Sequence, residues 1–303
     1  MKICTVALIA TLMVVFAVAA NAQQNFNRLP RLNVRKQSFT VSGISSGAFM
    51  AQQFAVAFSK TVTGTGVVAG GPYYCSLGNE FVALDSCMKI PQMIDLSIIQ
   101  DMIKEMESTG AIDHSSNVKN HKFYLFSGTD DFIVFQGVMR KLQQQLYTTF
   151  QVPISNIVTD FKTPAVHGFI TNDYGNACAM FGSPFINNCG LDQAKIILET
   201  VLSTKLNASQ PIDRNLFTFS QSGNYTATSF DEKGYIYIPT SCQANRAPCV
   251  VHLAFHGCNQ GVQSVGDVFV KHSGYLKYAE SNNIVVVFPQ VRKTESFLVN
   301  PEG

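Results

Sequence analysis

Beyond residue 22 the chain contains no apolar run long enough to cross a bilayer, which argues against a membrane anchor in that part. Charge is scarce too. Asp, Glu, Lys and Arg make up 14% of the residues, the formal net charge is +2, and no basic block occurs. Neither nucleic acid nor an anionic membrane surface is therefore expected as a partner. No C-x-x-C pair and no H-E-x-x-H is present, so no metal site is expected. Internal repeats, low-complexity tracts and Pro/Ser-rich linkers are absent as well. A chain that is 46% hydrophobic can fill a sizeable core, and one domain over 23–303 is the simplest organisation.

What is present begins with a leader. Lys2 gives a positive start, Ile3 to Ala20 is largely apolar, and Ala20-Asn21-Ala22 fits an A-x-A-like cleavage site. Residues 1–22 therefore read as a secretory signal peptide. A membrane anchor is the competing reading, but the cleavage site and the lack of a basic flank after Ala22 favour removal. The mature chain is expected to be secreted and extracellular. Seven cysteines follow, and in an exported chain they read as disulfides rather than metal ligands. Short spacings suggest Cys75 with Cys87, Cys178 with Cys189, and Cys242 with Cys249. Cys258 is left over, and an odd cysteine in a secreted chain needs an explanation.

The most informative stretch is Gly43-Ile44-Ser45-Ser46-Gly47, a G-x-S-x-G pattern. Gln37 to Val41 before it has strand character, and Ala48 to Ser59 after it is rich in helix formers without Gly or Pro. A serine on a sharp strand-to-helix turn projects its oxygen out of the sheet, and small flanking residues let the turn close. Ser45 is the candidate nucleophile. The N–H of Ser46 would face the negative charge that develops on an attacked carbonyl.

A nucleophile of this kind needs an acid and a base later in the chain, in the order Ser, Asp, His. The strand Lys122 to Ser127 runs into Gly128-Thr129-Asp130-Asp131, which offers two acids, although Asp130 could equally cap the turn. Among the histidines, His114 and His121 precede the acid in a polar loop, His252 falls within a strand, and His272 lies in a helix or turn. His167, beside Gly168 in a loop, has the required order. His256-Gly257-Cys258 ends the strand Val250 to Phe255 and resembles the HG turns that donate a second oxyanion-hole N–H. That turn usually precedes the nucleophile, whereas here it follows by about 210 residues. A circular permutation explains this with one sheet. Tandem domains are the rival, but the second part has no G-x-S-x-G.

Taken together, VSGISSGAFMAQQFAVAFS, VVAGGPYYCS, FSGTDDFIV, AVHGF, HLAFHGCNQ and HSGYLKYAESNNIVVVFPQ resemble the secreted polyhydroxybutyrate (PHB) depolymerases, specifically the single-domain, circularly permuted type. The resemblance covers roughly residues 38–303. It implies an α/β class chain with an α/β-hydrolase sheet flanked by helices, circularly permuted, acting without metal or organic cofactor. It assigns the nucleophile to Ser45, the acid to Asp131 rather than Asp130, the base to His167, and the oxyanion donors to the N–H groups of Ser46 and Cys258. The family continues past its N-P-x-G stretch into a Cys-Trp, Trp-rich segment. This chain ends at Asn300-Pro301-Glu302-Gly303 without tryptophan and so reads as C-terminally incomplete, Cys258 lacking the partner that segment would supply.

The function implied is a secreted serine esterase hydrolysing poly(3-hydroxybutyrate) or its oligomers through an acyl-enzyme intermediate, as a monomer with an ester or polyester substrate. Two alternatives stand beside it: a feruloyl or acetyl esterase on plant polysaccharide, and a catalytically impaired secreted binding protein. Asn207-Ala208-Ser209 and Asn224-Tyr225-Thr226 are sequons, making Asn207 and Asn224 glycosylation candidates in a eukaryotic secretory route.

Overall fold

The computed structural model describes residues 25–26, 28–223, 229–243 and 246–294. The leader expected over 1–22 and the sequon at Asn224 lie outside these residues. Within them the strands run β1 (Asn25–Phe26), β2 (Val34–Ile44), β3 (Val62–Val68), β4 (Lys122–Phe126), β5 (Ile157–Asp160), β6 (Phe169–Thr171), β7 (Asn176–Ala177), β8 (Ile186–Asn188), β9 (Leu216–Ser220), β10 (Lys233–Tyr237), β11 (Cys249–Phe255) and β12 (Ile284–Phe288). The helices that concern the site are α1 (Ser46–Ala57), α2 (Glu80–Leu84), α3 (Leu96–Ser108), α4 (Gln136–Thr148) and α5 (Gln193–Leu202).

Nine strands form one sheet in the order β1-β9-β10-β12-β11-β2-β3-β4-β5, and β6-β8-β7 form a small second sheet. In the large sheet β10 alone runs against its neighbours. Counting from β9, through β12 and on to β2–β5, the spatial order becomes 1-2-4-3-5-6-7-8 with only the second strand reversed. That is an α/β-hydrolase sheet whose chain has been opened elsewhere. The strands from the C-terminal half sit directly beside β2 in the same sheet.

The sheet buries both faces, and β4 shows how. Phe123 and Leu125 point to one side, into a cluster with Ile99 and Ile103 of α3 and Val138 and Leu142 of α4. Tyr124 and Phe126 point to the other, against Ile197 and Leu198 of α5. This is the period-2 alternation of a strand covered on both sides. Each such side chain contributes roughly 1.5–3 kcal/mol by burial.

The register places five strand ends at one edge. Ile44 pairs with Val68 and Val68 with Phe126, Phe126 pairs with Asp160, and Gly43 pairs with Phe255. The chain therefore leaves β2, β3, β4, β5 and β11 at their C-terminal ends side by side, the edge where open parallel sheets bind ligands. Cys75–Cys87, Cys178–Cys189 and Cys242–Cys249 form disulfides. Cys258 is exposed and unpaired among the described residues.

Candidate active site

Ser45 sits between β2 and α1 with φ 55° and ψ −124°. A positive φ is costly for a residue with a Cβ and is held only where the surroundings over-determine it. Those surroundings are close. The Ser45 N–H donates to the Val68 carbonyl at 2.9 Å, and the Ser45 carbonyl accepts from Ala48 and Phe49 as α1 begins. A Cβ on Gly43 would lie 2.1 Å from the Gly47 carbonyl oxygen, and one on Gly47 would lie 2.2 Å from the His256 carbonyl oxygen. Both glycines of the motif are thus required by contact. Ser46 opens α1, and its N–H belongs to the first turn, where no carbonyl within the helix is available to it.

Two strands away, the loop after β4 presents Asp131. Its Oδ1 accepts from the N–H groups of Ile133 (2.9 Å) and Val134 (3.0 Å). Its Oδ2 lies 2.9 Å from His167 Nδ1. Asp131 and His167 are both buried, at 8% and 6% exposure. Asp130 is exposed, and its carboxylate takes a hydrogen bond from Thr129 Oγ1. Main-chain bonds from Thr129 N–H to Thr163 O and from Asp130 N–H to Ala165 O tie the acid loop to the histidine loop. A Cβ on Gly128 would lie 2.0 Å from the Ala165 carbonyl oxygen, so the two loops are in backbone contact there. Among the described residues no hydrogen bond joins Ser45 to His167; such contacts are often long before substrate binds.

The loop His256-Gly257-Cys258 closes the other side of Ser45. A Cβ on Gly257 would lie 3.2 Å from Ser45 Cβ and from the Ile44 carbonyl oxygen. His256 is buried, and burial pushes its pKa below the ordinary histidine value. Its Nδ1–H donates to the Gly257 carbonyl at 2.8 Å, and its Nε2 accepts from the Val291 N–H at 3.2 Å.

Other histidines are occupied elsewhere. His121 is buried rather than solvated in a polar loop, and its Nε2 donates to the Ser59 carbonyl. His252 is fully buried on β11, with Nδ1 at 2.8 Å from Thr40 Oγ1 and Nε2 at 2.7 Å from Ser42 Oγ; Tyr275 OH completes the network at 2.6 Å from Ser42 Oγ. Burial pushes the His252 pKa down to about 3.

Two features were given no role by the sequence. Phe132 and Phe181 are half exposed and meet edge to face with ring centroids 5.1 Å apart, and Phe181 lies 6.4 Å from the His167 ring. Gln260 is buried against the His256-Gly257-Cys258 loop. Among the described residues no group of histidine, cysteine and acidic side chains could hold a metal ion, and no helix is long and apolar enough to cross a membrane.

No protein-family model matches the chain. A poly(3-hydroxybutyrate) depolymerase of Delftia acidovorans is 41% identical over 267 residues, covering 86% of this chain but 53% of that protein, so the chain spans about half of that relative's length. A polyhydroxybutyrate depolymerase of Talaromyces funiculosus is 36% identical over 275 residues, covering 89% of this chain and 79% of that one. The crystal structure of a PHB depolymerase from Penicillium funiculosum superposes with a TM-score of 0.80 at 32% identity, over 89% of this chain and 84% of that one. A serine-to-alanine PHB depolymerase variant complexed with an R3HB trimer superposes with a TM-score of 0.78, at the same identity and coverage.

Proposed function

The chain belongs to the polyhydroxybutyrate depolymerase family, and we propose that it is a serine esterase cleaving poly(3-hydroxybutyrate) or its oligomers outside the cell. The observation that carries this reading is the Asp131–His167 pair, held at the same sheet edge as the strained Ser45 turn.

The chemistry follows from the geometry. The Asp131 carboxylate, fixed by two backbone N–H groups, holds His167 with its proton on Nδ1, leaving Nε2 as the base. Nε2 takes the Ser45 proton as Oγ attacks the ester carbonyl. The Ser46 and Cys258 N–H groups stabilise the oxyanion, a contribution of roughly 2.7–4 kcal/mol per donor. His167 then protonates the departing alcohol, and water releases the acyl group. Phe132 and Phe181 give the acyl chain an apolar wall beside His167. Three disulfides suit an oxidising compartment and secretion. Asn207 is exposed in the segment that follows α5 and is open to glycosylation in a eukaryotic host.

The test is release of 3-hydroxybutyrate from its trimer and from a polymer film, set beside feruloyl and acetyl esters. The reading expects Ser45-dependent turnover of the 3-hydroxybutyrate esters. Turnover confined to feruloyl or acetyl esters would replace the substrate class. No Ser45-dependent turnover of any ester would replace the enzyme reading with that of a binding protein.

A further inference from the structure

The peptide that presents the Cys258 N–H is fixed from its opposite end. In a trans peptide the N–H of Cys258 and the carbonyl of Gly257 point in opposite directions, so whatever holds the carbonyl aims the N–H. The Gly257 oxygen accepts from His256 Nδ1 at 2.8 Å and from the Gln260 N–H at 3.2 Å. The preceding N–H, that of Gly257, donates to Gln260 Oε1 at 2.8 Å.

Gln260 also reaches in the other direction. Its Nε2 donates to the Pro184 carbonyl at 3.1 Å and to the Phe185 carbonyl at 3.0 Å. The same Phe185 oxygen accepts from the Phe169 N–H at 2.9 Å, two residues beyond His167. One side chain, 1% exposed, therefore connects the loop bearing Cys258 to the segment that holds the histidine loop. Both amide atoms are used, and each satisfies a backbone group on a different loop. A hydrophobic residue of the same volume would fill the space and leave the Gly257 N–H and the Pro184 carbonyl without this partner.

We propose that Gln260 is a positioning residue that sets the distance between the Cys258 N–H and His167, so that oxyanion stabilisation and proton transfer act on one substrate geometry. The inference rests on the assignment of that N–H to the oxyanion site. Gln260 touches no reacting atom; it acts through Gly257 on one side and Phe185 on the other. Misplacing one loop relative to the other should lower kcat and leave KM nearly unchanged, because ground-state binding does not use the oxyanion geometry.

The test compares the wild-type protein with Gln260→Met and Gln260→Glu. Methionine keeps the volume and removes both hydrogen-bonding ends. It should lower kcat by roughly 10²-fold with KM within about threefold, and accelerate amide exchange at both Gly257 and Phe169 by about tenfold or more. Glutamate keeps the acceptor for Gly257 but sets a carboxyl oxygen against two carbonyls. Protonation restores a donor, so its rate relative to wild type should rise as pH falls. A residue that only fills space would give both variants the wild-type pH profile. An unchanged kcat in Gln260→Met, or faster exchange at Gly257 with Phe169 unaffected, overturns the proposal. If the wild type itself shows no Ser45-dependent turnover, the esterase reading fails, while exchange at Gly257 and Phe169 still decides whether Gln260 couples the loops.

Discussion

Asp131 receives His167 on one carboxylate oxygen, at 2.9 Å from Nδ1, while its other oxygen is held by the N–H groups of Ile133 and Val134. Asp130, its neighbour in sequence, faces solvent.

This difference predicts opposite outcomes for two adjacent substitutions. Asp131→Asn keeps a carbonyl oxygen for Ile133 and Val134 but then presents its N–H₂ to His167, which loses the preferred tautomer. Ester turnover should fall by roughly 10³–10⁴-fold with the melting temperature nearly unchanged. Asp130→Asn should stay within about twofold of wild type, as a surface change away from such features does. Steady-state kinetics on a soluble 3-hydroxybutyrate ester measures both, and the reverse ranking would reassign the acid.

How much of this was legible in the sequence can be judged residue by residue. The Ser45 turn was readable because a G-x-S-x-G between a strand pattern and a helix pattern reports a local backbone constraint, and the 2.1 and 2.2 Å approaches at Gly43 and Gly47 are its cause. The strand of the HG turn was readable because Val250 to Phe255 is apolar apart from His252, as suits a strand covered on both faces. The three-residue strands β6 and β8 were not, since so short an element has no period to read. Bottom-up reading left both aspartates open, because neighbouring loop residues differ only in tertiary direction; the family resemblance favoured Asp131. Gln260 was invisible for the same reason: its partners, Pro184 and Phe185, lie about 75 residues away.

Acid should destabilise the fold through His252. Its pKa is lowered by burial to about 3, so above the ordinary histidine value of 6.5 folded and unfolded states are both neutral there. Below 6.5 the unfolded chain takes up a proton that the folded chain refuses, and stability is lost progressively until about pH 3. The slope is about 1.4 kcal/mol per pH unit, or about 2 kcal/mol between pH 6.5 and 5. Urea unfolding across that range should show the loss, and His252→Gln should reduce its slope, the buried His121 and His256, whose pKa values burial also lowers, keeping the remainder. A His252→Gln variant with the wild-type slope would place the acid sensitivity elsewhere.

Cys178–Cys189 closes the loop that carries Phe181 and supplies the Pro184 and Phe185 carbonyls. A closed loop of this size contributes about 3 kcal/mol in the chain-entropy treatment. Replacing both cysteines with serine should lower stability by about 2–3 kcal/mol and lower turnover more than the same change at Cys242–Cys249, which lies away from the site. Equal losses of turnover in the two double variants would remove this loop's special role.

Cys258 is exposed, and its N–H is the proposed second oxyanion donor. Thiol titration of the chain lacking residues 1–22, under denaturing but non-reducing conditions, should give one thiol per chain. Alkylation of the native protein with a bulky maleimide should slow ester turnover. Full activity after stoichiometric alkylation would show that the Cys258 side chain points away from the substrate path and that the adduct leaves the loop in place.

The central claim is that Ser45 is an activated nucleophile, and covalent capture tests it most directly. A fluorophosphonate probe reacts with a serine only when a base and an oxyanion site act on it together. Incubation of the native protein, followed by digestion and mass spectrometry, should place one label on Ser45, and none should appear in Ser45→Ala or with His167→Ala. An unlabelled wild-type chain, or a label carried by another residue in the Ser45→Ala variant, would contradict the account.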